Sequence, residues 1–373
     1  MVLDPRAKEL ARIIVDYSVN IQLNEIFLVQ AEDTFREFAE FMGGLADKKG
    51  AKTLFDYHNL NEKKAMIERD DREELEMESR RVCALAEIAD ARSYVDADSE
   101  PLYLESIDPK KITDFEKLVR RPMLERLIGN GKEFPGIKWN LVGYPCEGAA
   151  KSAGMTLEEY ENFLYDSTNI DWAKTREKMQ RVKDAFDDAE QVCIYVPGQT
   201  DLTLSLKGRG AQIGDGRKNM PDGEVFYGPV EDSANGVIYF PYPTIRDGKT
   251  ITGIRLTYKD GEVTDFSAEK NQEFLETMLN LKGVKRIGEF GIGCNYGVKR
   301  YTKELLFDEK LGGSIHLALG NSYKMPLSSG GGLNEGDAHW DNVCDLRRVE
   351  GNPGGELYAN GKLVQRNGVW LFD

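Results

Sequence analysis

The sequence predicts two fold classes in one chain: an α/β domain over residues 1–188 and a β-rich α+β domain over residues 189–373. Three observations carry this. The chain has 373 residues, long for one domain at a loose prior of roughly 150 residues each. Before about residue 187, helical patterns alternate with short apolar runs, as βαβ units on a largely parallel sheet do. From about Gln191, period-two alternation and hairpin turn pairs take over.

Taken in order, residues 8–17 read as an amphipathic helix and Ile26-Phe27-Leu28-Val29 as a buried strand. A helix over 34–45 leads to the strand Lys52-Thr53-Leu54-Phe55. A long charged helix over 63–87 precedes strands at Ser93-Tyr94-Val95 and at residues 138–142. Thr156 with Glu159 three residues on forms a capping box, opening a helix that runs to about Ala185. The acidic stretch 187–190 marks the domain boundary. Beyond it, 192–196 is strand-like, and Leu202-Thr203-Leu204-Ser205-Leu206 alternates with period two. Asp247-Gly248, Asp260-Gly261, Asn360-Gly361 and Asn367-Gly368 are hairpin signals. With no long linker between them, the two domains are expected to pack closely.

Composition narrows the function classes. Hydrophobic residues make up 40% and charged residues 30%, a balance that supports buried cores. No run of about 18 apolar residues occurs, so no membrane-spanning helix is expected. The N-terminus enters a helical pattern directly, without a signal peptide's apolar run, and a cytoplasmic location is expected. The five cysteines are scattered, with no CxxC spacing, and read as buried, inert thiols. A net charge of −15 argues against a nucleic-acid partner, whose phosphates require clustered Lys and Arg. An acidic cavity would instead draw cations, such as metals or the free amino end of a peptide.

Histidine is scarce: only His58, His316 and His339 occur. On a strand, His339 and Asp341 project to one face, where an imidazole and a carboxylate can ligate one ion or two neighbouring ions. An H-x-D triplet alone arises often by chance and reads first as an exposed polar face on an edge strand. His316 lies in a glycine-bordered apolar strand, after Asp308-Glu309. By itself it reads as a core histidine bonded to backbone. Glu224, after Pro221-Asp222-Gly223, fits a turn end, and Glu289, in Gly288-Glu289-Phe290-Gly291, fits a strand edge. A carboxylate buried in such a strand must be paired, protonated or metal-bound.

Together these segments resemble the M29 family of metallo-aminopeptidases, that of aminopeptidase T and aminopeptidase S, over nearly the whole chain. In the first half the resemblance runs through residues 10–18, Gly143-Tyr144-Pro145, Ala153-Gly154-Met155-Thr156 and Glu158-Glu159-Tyr160. Thr200-Asp201-Leu202-Thr203 resembles the entry to the catalytic domain. The specific part is residues 220–226, Gly288-Glu289, Phe307-Asp308-Glu309, residues 316–320, Tyr323 and His339-x-Asp341. The resemblance implies a thermophilic metalloprotease-like fold and two divalent ions per chain (zinc, cobalt or manganese). It implies Glu224, Glu289, Glu309, His316, His339 and Asp341 as ligands, with Glu289 also the proton acceptor and Tyr323 an oxyanion donor. It further implies peptide substrates with a free N-terminus and a homodimer; the apolar run Val237-Ile238-Tyr239-Phe240 is the sequence's own indirect support for the dimer. Two features depart from the family pattern. Glu309 stands seven residues before His316, a longer spacing, and Gly336 occupies a position more usually Ser.

Two other readings share this residue set: a different dinuclear amidohydrolase or deacetylase, and a non-catalytic metal-binding protein that keeps the fold. Retention of every proposed ligand argues against the second. A serine hydrolase is disfavoured by the absence of G-x-S-x-G, and a cysteine hydrolase by the lack of any cysteine beside a histidine in sequence.

Overall fold

In a computed structural model the described residues are 3–97, 99–100, 103–129, 134–246 and 249–372. They form a mixed α/β structure with one parallel sheet and two large antiparallel sheets. The expected turn at Asp247-Gly248 lies outside the described residues. The chain divides into two compact units, Met1–Asn169 with Gly216–Pro221, and Ile170–Asp215 with Asp222–Asp373.

The first unit is built on parallel strands β1 (Ile26–Glu32), β2 (Lys52–His58), β3 (Ala91–Asp96) and β4 (Lys138–Gly143), in the order β2-β1-β3-β4. The two-residue strand Asn219–Met220 extends the sheet beside β4, also in parallel. Phe27, Leu28, Val29 and Ala31 of β1 are all buried, as the apolar run of an interior parallel strand requires. The helix expected over 63–87 is two helices, Leu60–Arg69 and Arg72–Ile88. Asp70 ends the first in a left-handed conformation (φ 51°), and the Asp71 side chain accepts from Glu74 N–H to start the second. Periodicity passes over the break because charged residues flank it on both sides, whereas two adjacent aspartates favour caps over helix interior.

The capping box at Thr156 is formed, and a cap of this kind contributes about 1 kcal/mol. Its helix, Leu157–Thr168, stops early, and Asp171 caps a separate helix, Trp172–Phe186. This second helix buries Met179, Val182 and Phe186 in the core of the second unit. The partition therefore differs from a single cut at 188/189 in two places, this helix and Gly216–Pro221. Both follow from where apolar side chains and strand edges find partners, which chain position does not encode.

In the second unit, an eight-stranded antiparallel sheet is closed by tight turns at Asp260-Gly261, Asn360-Gly361 and Asn367-Gly368. Both residues of each pair have positive φ, near 50° and then 75–80°, as the turn type that matches strand twist demands. The run at 237–240 lies in the strand Asn235–Phe240, paired on both sides, with Ile238 and Phe240 in the core. Those side chains stabilise the unit itself.

The other sheet is five-stranded and antiparallel: β5 (Gln212–Gly214), β6 (Glu224–Tyr227), β7 (Ile287–Gly293), β8 (Ser314–Gly320) and β9 (His339–Asp345), in the order β9-β8-β7-β6-β5. Alternation sends Val225, Tyr227, Phe290, Ile292, Ile315, Leu317, Leu319, Trp340 and Cys344 into the unit's core. The opposite face carries Glu224, Glu289, His316, His339 and Asp341. All five cysteines are free, and no helix among the described residues is long and apolar enough to cross a membrane.

Candidate metal centre

Five of the seven candidate site residues sit on one face of the antiparallel sheet: Glu224 on β6, Glu289 on β7, His316 on β8, and His339 and Asp341 on β9. Their cross-strand partners are small. Glu224 pairs with Gly293, His316 with Gly291, Glu289 and Asp341 both with Ala318, and His339 with Gly320. Directly opposed side chains compete for the same space above a sheet. Alternating a large polar residue with glycine or alanine clears that space, so side chains from four strands converge.

The convergence is close. His316 Nε2 lies 3.2 Å from Glu289 Oε1 and 3.5 Å from Glu224 Oε2. His339 Nε2 lies 3.4 Å from Glu289 Oε2 and 3.5 Å from Asp341 Oδ2. The six candidate ligands form three overlapping triads, each with donor atoms within 4.8 Å of one another: Glu224–Glu289–His316, Glu289–His339–Asp341 and Glu309–His316–Asp341. Glu289 belongs to two of them, and it lies in a central strand, almost fully buried, rather than at a strand edge.

Glu309 reaches the cluster from outside the sheet, directly after the short helix Leu305–Asp308. The longer spacing to His316 is taken up by a turn in which Gly313 has φ 86° and Gly312 N–H donates to Asn295 O. Tyr323 lies at the rim, 44% exposed, with its ring 5.1 Å from that of His339 and 5.5 Å from that of Phe226. His58 lies in the first unit, stacked on Tyr94.

Burial and close charges shift the proton affinities of the cluster. Burial, reinforced by the charges of Asp341 and Glu224, raises the Glu289 pKa. Burial opposes protonation of His339, but Asp341 and Glu289 outweigh it and push its pKa up to about 9. Glu224 Oε2 and Glu289 Oε2 are buried without hydrogen-bond partners. Orphaned carboxylate oxygens beside imidazole nitrogens are the donor set that Zn²⁺, Co²⁺ or Mn²⁺ takes. His339 is also oriented for this. Its Nδ1–H donates to the Asn321 carbonyl at 2.7 Å, which leaves Nε2 as the nitrogen that faces Glu289 and Asp341 and that a metal would take in exchange for its proton.

Three contributors were not legible as site residues. Asn321 acts through its backbone, which leaves no side-chain signal. Lys310 is fully buried and ion-paired with Glu309 and Glu224. Gly291 could have been suspected, since glycine inside a strand often marks a close approach. A Cβ there would come within 2.0 Å of the His316 ring. Gly291→Ala is therefore expected to weaken metal binding by roughly tenfold or more, with the far-UV circular dichroism unchanged. Normal metal content in that variant would remove glycine's steric role. Gly336 has a similar reason for being small: a Cβ would lie 2.8 Å from Asn321 N, beside the carbonyl that holds His339.

Known proteins resemble this chain in sequence and fold. Aminopeptidase AmpS of Bacillus subtilis is 25% identical over 97% of each chain. The solved structure of wild-type AmpT from Thermus thermophilus has a TM-score of 0.78 at 21% identity, covering 98% of this chain and 99% of that one. A 2,5-dihydroxypyridine dioxygenase from Pseudomonas putida shares the fold at a TM-score of 0.61 and 14% identity, covering 98% of this chain and 97% of its own. One fold thus carries unrelated chemistries, and activity has to be argued from the site. The sequence pattern of the thermophilic metalloproteases (M29) matches residues 3–370, and the chain belongs to that family.

Proposed function

We propose that this protein is a metal-dependent aminopeptidase that releases N-terminal residues from peptides. The observation that carries the reading is the convergence of six candidate ligands into three triads sharing Glu289, His316 and Asp341, in a member of the M29 family. Glu224, Glu289, Glu309, His316, His339 and Asp341 would hold two divalent ions. Such ions supply Lewis-acid activation of the scissile carbonyl and of water.

The side chains do the rest. Glu289, whose proton affinity is raised by burial and by its acidic neighbours, accepts the proton of the attacking water and returns it to the leaving amine. Tyr323 donates its hydroxyl hydrogen to the developing oxyanion. Partial burial, then the charges of Glu289, Glu224 and Asp341, raise its pKa and keep that hydrogen in place at neutral pH. Specificity for a free N-terminus would come from carboxylates that meet the substrate's ammonium.

A panel of aminoacyl reporter substrates against N-acylated amines tests this function. Turnover of the first alone is expected; turnover of the second alone would identify an amidohydrolase or deacetylase. Tyr323→Phe is expected to retain its metals and to lose roughly 10–1000-fold in kcat, with KM little changed, because the contact is made chiefly in the transition state. Unchanged kcat would take Tyr323 out of the mechanism. We also read the enzyme as a cytoplasmic homodimer that uses zinc, cobalt or manganese. This extends the family resemblance, and a monomer mass by light scattering at micromolar concentration would contradict the dimer.

A further inference from the structure

A buried ammonium is costly unless it is paired, and Lys310 carries its charge into the acidic cluster. Its side chain is 0% exposed, and its Nζ pairs with Glu309 Oε1 and lies 3.4 Å from Glu224 Oε1. The backbone beneath it is pinned: Lys310 N–H donates to Phe307 O, and Lys310 O accepts from Asn295 N–H. The charge is therefore held in one place.

That place divides the cluster unequally. Lys310 touches the triads that contain Glu224 and Glu309. The remaining triad, Glu289–His339–Asp341, makes no ion pair with a lysine or arginine among the described residues, and Lys310 acts on it only at longer range, through Asp341. Glu224 splits its two oxygens. Oε1 faces Lys310, while Oε2, buried and without a hydrogen-bond partner, faces His316 at 3.5 Å. A carboxylate held in this way presents a single oxygen to an ion in a fixed direction.

We propose that Lys310 is a built-in cation that makes the two metal positions unequal. The first divalent ion enters at Glu289–His339–Asp341, and the second, beside Glu224, Glu309 and His316, binds against the lysine's charge. The proposal rests on the metallo-aminopeptidase reading. Its physics is simple: solvent screens little inside a buried cluster, so a fixed positive charge a few ångströms away opposes a second cation. Lys310 is thus a positioning residue with two effects, orienting Glu224 and Glu309 and weakening the site they form.

The test is a calorimetric titration of metal-stripped protein with Zn²⁺, with bound zinc counted by elemental analysis. Wild type is expected to bind two ions, the second at least tenfold more weakly. Lys310→Met should tighten the second ion and narrow that gap by tenfold or more. Lys310→Arg, which keeps the charge, should preserve the gap. One ion in wild type and two in Lys310→Met would be the limiting form of the same result. Two ions of equal affinity in wild type would overturn the proposal even if no variant folded. Parallel weakening of both ions in folded Lys310→Met would overturn it too, leaving Lys310 a structural spacer. Absence of zinc binding in wild type is a distinct outcome, because it removes the metalloenzyme reading itself.

Discussion

Glu289→Gln is expected to lower kcat by at least about 10²–10⁴-fold, the usual contribution of a positioned acid–base group. The substitution keeps side-chain shape but removes the charge and the proton acceptor. Few positions leave so little room for compensation. Glu289 is almost fully buried and belongs to two of the three ligand triads. Its contacts to His316 and His339 are 3.2 and 3.4 Å. Metal content is expected to fall partially, because Glu224, Glu309, His316, His339 and Asp341 remain, so the loss of rate should exceed the loss of metal. Steady-state kinetics on an aminoacyl reporter, paired with metal analysis of the same sample, separates the two. Activity within twofold of wild type would refute the assignment. His58→Ala is the control. That ring stacks on Tyr94 in the first unit, and turnover is expected to be unchanged.

Removal of metal should have the other large effect. Exhaustive chelation is expected to abolish activity, and Zn²⁺, Co²⁺ or Mn²⁺ to restore it, with about two ions per chain at saturation. His316→Ala and Asp341→Ala should each lower metal content, since each belongs to a ligand triad and both share one with Glu309. Stability should follow. An ion that binds only the folded state stabilises it by about 2.7 kcal/mol at a free concentration of 100 times Kd. The metal-stripped protein should therefore melt at a lower temperature, and the two alanine variants should gain less on metal addition. The carboxylates give this effect its sign: Glu224, Glu289 and Asp341 are buried close together, and their mutual repulsion is relieved by a cation. Full activity after chelation and dialysis would exclude a metal-dependent mechanism.

The sequence by itself determined which side chains share a sheet face and which turns close the hairpins. Both are local properties. A strand alternates with period two, so His339 and Asp341 had to project together, and Val225, Phe290 and Ile315 had to face away from Glu224, Glu289 and His316. Asp260-Gly261 and Asn360-Gly361 adopt positive φ because those residue pairs tolerate it. What alternation cannot supply is register. The pairing of His316 with Gly291 and of Asp341 with Ala318 depends on strands far apart in sequence, and a one-residue slip of a strand would turn the ligands it carries toward the core.

Tertiary structure also decided the boundaries of the two units. The helix Trp172–Phe186 follows the core that receives Met179, Val182 and Phe186, and Asn219–Met220 follows the strand edge beside β4. It decided Lys310 as well. In the sequence that lysine is an ordinary charged residue after two acids, with every reason to be solvated. Only the folded turn at 309–313 buries its ammonium between Glu309 and Glu224. A buried charge must find its partners in space, and chain order does not say where they will be.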